Sequence, residues 1–126
     1  MAAVRSYREL NVYKNAFEAA MEIFQITKAF PKEEQYSLTD QVRRSSRAVC
    51  SNLAEAWRKR RYQKHFVSKL TDCASEADET RVWLELARGC EYIDTEVFEA
   101  LDDRFDHILA QLVRMESQSE KWLIRS

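Results

Sequence analysis

The residues best placed to do chemistry are arginines. On a helical wheel of about 100° per residue, Arg43 and Arg61 coincide and Arg47 and Arg58 fall within roughly 60° of them. If one helix carries all four, they form a stripe about 27 Å long at about 1.5 Å rise per residue. Arg44, Lys59, Arg60 and Lys64 widen it into a patch around the turn that follows. Guanidinium forks bind phosphate oxygens in pairs, giving affinity without sequence discrimination. Trp57 and Tyr62 lie close enough in sequence to stack on exposed bases. The chemistry is therefore that of RNA or DNA binding. An opposing reading stays open, in which acidic helices of this or a neighbouring subunit neutralise the stripe as ordinary ion pairs.

Other chemistries find no comparable set of residues. A di-iron bundle needs Glu-x-x-His on facing helices, but Tyr62 stands three positions before His65 and Arg104 three before His107. Asp103 and His107, one turn apart, read as a solvated surface pair. A single glycine excludes a Gly-rich phosphate loop. Cys50, Cys73 and Cys90 form neither a Cys-x-x-Cys knuckle nor an even disulfide set, and read as reduced thiols packed as small apolar groups in a cytoplasmic protein. Glu76, Asp78 and Glu79 read as a solvated or salt-bridged face. No catalytic residue, metal ligand or cofactor site is nominated, and the expectation is a non-enzyme.

The elements that must position the arginines follow from composition and periodicity. One glycine and one proline in 126 residues leave little punctuation for an all-β fold, and 45% apolar with 33% charged residues excludes disorder. Steps of three and four place Tyr13, Ala16, Phe17, Ala20, Ile23, Phe24 and Thr27 on one helical face. Further stripes are Leu38, Val42, Val49, Leu53 and Ala56; then Phe66, Leu70, Cys73, Ala77, Thr80, Leu84 and Ala87; then Val97, Leu101, Phe105, Ile108, Leu112 and Met115. Ser119 and Trp122 extend the last. Ser37 and Asp40 have capping-box spacing, Gly89 suits a left-handed C-cap, and Asp94 an N-cap. The prediction is an all-α, up-and-down antiparallel four-helix bundle, one domain over residues 1–126 with helices near 11–29, 38–60, 63–88 and 95–122. Neither a signal-peptide core nor an apolar run of about 20 residues is found, so no membrane role is expected.

The net charge of −1 hides a partition. Residues 1–40 carry five basic and six acidic side chains, 41–69 nine and one, and 70–126 six and fourteen, giving −1, +8 and −8. The +8 segment holds the stripe, on the side of its helix away from the apolar set. Trp57 and Trp83 fall on the flanks of their stripes, where a large indole invites a second surface, so both are candidate oligomer contacts.

Together these segments resemble the bacterial 23S rRNA intervening-sequence (S23-like) proteins from about Tyr7 to Ile93. Tyr7-Arg-Glu-Leu10-Asn-Val12 is similar to the family's opening, and Phe30-Pro31 through Leu38 to its first connection. Gln41-Val-Arg-Arg44 followed by Ser51-Asn52-Leu53-Ala54-Glu55 resembles its most recognisable stretch, with Ala56 where glycine is usual and Cys50 where proline is common. Glu79-Thr80-Arg-Val-Trp83-Leu84 and Tyr92-Ile93 resemble one branch. The resemblance implies a helical bundle assembling as a homopentamer. It also implies kinship with retroelement accessory proteins, which engage nucleic acid and a reverse transcriptase.

Overall fold

A computed structural model describes residues 4–124; the outermost residues of the expected 1–126 domain, 1–3 and 125–126, lie outside the described residues. Four helices dominate: α1 (Asn11–Thr27), α2 (Leu38–Arg58), α3 (Gln63–Gly89) and α4 (Thr95–Ser117), with short 3₁₀ turns at Tyr7–Glu9, Lys32–Glu34 and Ser119–Trp122. Among the described residues there is no strand. Helices α1 and α3 each pack on both α2 and α4, and among the described residues the Cα atoms of the diagonal pairs stay more than 8 Å apart. This is the all-α, up-and-down four-helix bundle.

The stripes expected on α2 and α3 are buried residue for residue, as is that of α4 from Leu101 to Met115; Val97 is half-buried. On α1 the face is turned. Val12, Ala16, Ala19, Ile23 and Thr27 are buried, while Phe17 is half in water. Small alanines let α1 approach its two neighbours closely, which a ring at position 17 would prevent. Helix α1 stops at Thr27 rather than at residue 29, because the N–H groups of Lys28, Ala29 and Phe30 turn back to carbonyls three residues earlier.

The expected caps are partly reassigned. Asp94 caps α4, accepting from the Val97 N–H at 2.8 Å. Ser37 makes no side-chain cap; Glu34 Oε1 instead accepts from the Leu38 N–H at 3.3 Å. The other carboxylate oxygen of Glu34 accepts from the Tyr92 hydroxyl at 2.8 Å, tying the α1–α2 connection to the α3–α4 turn. That bond lowers the Glu34 pKa below its ordinary value and pushes Tyr92 up to about 12.

Gly89 is not the left-handed residue that ends α3. Glu91 is, at φ 64°, with its N–H bonded to Arg88 O and that of Tyr92 to Ala87 O, both at 2.9 Å. This pair of bonds is a Schellman motif displaced past the glycine, which stays helical with open space where a Cβ would stand. Gly89→Ala is therefore expected to stabilise the fold by about 0.5–1 kcal/mol, and Glu91→Gly by about 1 kcal/mol through relief of the left-handed strain. Urea unfolding checks both, and destabilisation by Gly89→Ala would show that α3 is not helical through that position.

Candidate nucleic-acid interface

Helix α2 ends at Arg58, short of the expected residue 60, so Arg61 does not continue its stripe. The Lys59 N–H still reaches Glu55 O and Ala56 O, and the chain then reverses through residues 59–62, with Tyr62 extended at the start of α3. The eight basic candidates are thereby divided.

Three of them are engaged within the chain. Arg43 leans onto α1, donating from Nε to Thr27 Oγ1 at 2.8 Å, with its guanidinium 4.8 Å from the centre of the Phe24 ring. Arg44 forms ion pairs with Glu76 and Glu79 of α3, the Nη1–Glu76 contact measuring 3.2 Å. Arg60 folds back over its own turn, 3.4 Å from the Trp57 ring centroid, donating to Trp57 O at 2.8 Å and Trp122 O at 3.3 Å. Burial lowers its pKa below the ordinary arginine value, and neighbouring Arg58 lowers it further.

The other five, Arg47, Arg58, Lys59, Arg61 and Lys64, are exposed. Among the described residues no carboxylate lies within ion-pair distance of any of them. On α3 and α4, Asp102 and Asp106 pair with Arg81, and Glu76 and Glu79 with Arg44. Lys69, on the flank, pairs with Glu55 at 3.0 Å. Neutralisation by this chain's own acids thus reaches Arg44 and leaves the turn charged.

Both tryptophans nominated as oligomer contacts are satisfied within the chain to a degree that periodicity does not reveal. Trp57 is only 7% exposed, packed edge-on against Trp122 with ring centroids 6.2 Å apart. Trp83 is half-buried, its Nε1–H donating to Glu79 Oε2 at 3.2 Å. The expected extension of α4 through residue 122 gives way to this packing. Helix α4 stops at Ser117, and the 3₁₀ turn Ser119–Trp122 brings Ser119 Oγ to Gln63 Nε2 at 2.8 Å and Trp122 onto Trp57. Tyr62, the other stacking candidate, is 60% exposed beside His65. One aromatic was missed. Tyr36, in the connection before α2, is 87% exposed and shares an open groove with Arg43, Arg44 and Arg47. Its signal in the sequence is a tyrosine between Gln35 and Ser37, where no apolar stripe claims it.

Among the described residues, no three His, Cys, Asp or Glu side chains gather as a metal-holding group, and no helix is long and apolar enough to cross a membrane. The three thiols remain unpaired; burial pushes Cys50 up to about 11 and Cys73 up to about 12, away from the reactive thiolate form.

Fold and surface together define a four-helix-bundle protein that, among the described residues, exposes Arg58, Lys59, Arg61 and Lys64 beside Tyr62 at its α2–α3 turn. The chain belongs to the 23S rRNA-intervening sequence protein family, whose profile matches residues 8–114. It is similar to a crystal structure of a protein with unknown function from the S23 ribosomal protein family of Bacteroides thetaiotaomicron VPI-5482. The two share 27% identity and a TM-score of 0.76 over 83% of this chain and 97% of that one. No curated protein matches the chain.

The division of the turn into one pinned and four free cations is testable without a ligand. Arg60→Lys keeps the charge but loses the planar stack and the two-carbonyl reach, and is expected to cost about 1–2 kcal/mol in urea unfolding. Arg61→Lys should stay within about 0.5 kcal/mol. Equal effects of the two substitutions would remove Arg60 from its structural role.

Proposed function

We propose that this chain is a non-enzymatic, homo-oligomeric bundle protein that binds RNA or DNA through the phosphates. The observation that carries the reading is the α2–α3 turn. Arg58, Lys59, Arg61 and Lys64 are all exposed there and without a carboxylate partner among the described residues. A protein keeps such a cluster at the cost of mutual repulsion, and phosphate contact is the interaction that relieves it. Arg60, stacked on Trp57 and tied to Trp122, holds the turn in one shape, so less ordering entropy is lost on binding.

Assembly is the finer part of the reading. The family resemblance supports a ring of five, which would array several basic turns and raise avidity on a long polyanion. It also supports a protein partner seated on the same nucleic acid, such as a reverse transcriptase. The uncovered apolar residues fit self-association better than Trp57 does: Phe17 and Met21 on α1, and Val82 and Leu86 on α3, are each about half exposed.

The test is the variant Arg58→Gln, Lys59→Gln, Arg61→Gln, Lys64→Gln, assayed by nucleic-acid shift at two salt concentrations with light-scattering mass. Wild type should bind with strong salt dependence. The variant should keep its mass, lose most of its affinity, and flatten the plot of log K against log salt by about 0.7–0.9 per phosphate contact removed. Undiminished binding would take the turn out of the function. Loss of the oligomer with no nucleic-acid defect would favour a protein scaffold in which basic and acidic faces mate between subunits.

A further inference from the structure

The two most exposed aromatic rings of the chain stand at opposite ends of α2, with Tyr36 just before its first residue and Tyr62 in the turn after its last. Between them, Arg47 and Arg58 lie within roughly 20° of each other on the helical wheel. Arg47 shares its groove with Tyr36, and Arg43 and Ser51 line the same groove. Asp40 is the one carboxylate of that lining, at the Tyr36 end. Neither ring belongs to the core or packs against it. Tyr36 makes no side-chain hydrogen bond among the described residues, and Tyr62 touches one ring, that of His65.

We infer that the nucleic acid bound by this chain is single-stranded and runs along the outer side of α2, with one base stacked on Tyr36, one on Tyr62, and the intervening phosphates on Arg47 and Arg58. This rests on the reading of the α2–α3 turn as a phosphate site and adds the strand form and the path. Exposed rings of this kind can stack on unpaired bases, because a duplex keeps its base faces inside its own stack, whereas a single strand turns them out. Arginines on a narrow helical face suit one backbone rather than two. The 21 residues of α2 span about 31 Å, which matches about nine phosphates at the stacked per-strand spacing of about 3.4 Å.

Fluorescence anisotropy with labelled oligouridylate and oligothymidylate of about twelve nucleotides, set against a hairpin duplex of equal phosphate number, tests this on the full chain. The single strands should bind more tightly, with affinity rising with length to about nine nucleotides per chain and then levelling. Tyr36→Ala and Tyr62→Ala should each weaken single-strand binding by about 5- to 150-fold with an unchanged salt slope, and the phenylalanine variants should restore it. Arg47→Gln should instead lower the slope. Circular dichroism and oligomer mass confirm that these surface variants remain folded. A duplex bound as tightly as the single strand, or wild-type affinity in both alanine variants while the four-glutamine variant still fails, overturns the path and leaves the phosphate reading standing. Absence of binding to any of the three probes by the wild-type chain sinks both.

Discussion

Mutual repulsion among nine cations within twenty-nine residues, opposed by one carboxylate of their own segment, is the constraint that shapes the α2–α3 hairpin. The bundle relieves part of it locally. Arg43 is laid on Thr27 and Phe24, Arg44 is shared between Glu76 and Glu79, Lys69 reaches Glu55, and Arg60 lies flat on Trp57. Each contact also fastens two elements together. Arg43 joins α1 to α2, Arg44 and Lys69 join α2 to α3, and Arg60 joins the turn to the C-terminal segment. Relief of repulsion and fixation of the helix packing are thus the same contacts; of the cations left over, Arg47 lies 5.9 Å from the Phe24 ring centre, and Arg58, Lys59, Arg61 and Lys64 have no ion pair among the described residues.

Beneath that surface the helices need a fixed register, because a slide of one turn along α2 would separate Arg44 from its acids. A buried polar pair opposes such a slide. Ser45 and Thr80, each fully buried, are hydrogen-bonded at 2.7 Å, and the Thr80 hydroxyl also lies 2.8 Å from Glu76 O within its own helix. Displacement would break the bond between the two helices, a loss of about 0.5–1.5 kcal/mol, and leave each hydroxyl only a carbonyl of its own helix, Glu76 O for Thr80 and Val42 O at 3.4 Å for Ser45. Leu, Val and Phe neighbours can exchange partners with little penalty; this pair cannot. Among the described residues no buried side-chain nitrogen or oxygen lacks a partner, so the core enforces register without an unsatisfied group.

Most of the fold was legible because α2, α3 and α4 carry stripes whose period leaves one solution. The face of α1 was misread at Phe17, since an aromatic and two alanines on adjacent rows give similar periodicity and only the distance to two neighbours decides which row goes inward. The helix ends escaped for a related reason. Arg58 ends α2 and Ser117 ends α4 because Trp57, Arg60 and Trp122 meet across more than sixty residues of chain. No local rule encodes that meeting. The candidate interface was legible as composition but not as geometry. Nine cations in a row of segments are visible in the sequence, whereas the difference between Arg60, held by two carbonyls, and Arg61, in water, arises only once the turn is closed.

A total charge of −1 is compatible with the proposed phosphate-binding turn because charge acts locally in salt. The antiparallel arrangement puts the α2–α3 turn at one end of the bundle and the α3–α4 turn, with exposed Glu85, Glu91, Asp94, Glu96, Glu99 and Asp103, at the other. Helix α3 alone spans about 40 Å between them, against a screening length of about 8 Å at physiological ionic strength. The acidic end therefore does little to cancel the field at the basic end. Its effect is on the order of encounter: a polyanion is drawn first to the α2–α3 turn, and from there the Arg47 side of α2 leads it toward the Tyr36 groove. Near-neutrality of the whole then suppresses attachment along the remaining surface. A uniformly basic bundle would bind polyanions more tightly but on any side, and it would lose the defined end that the segregated charges give this one.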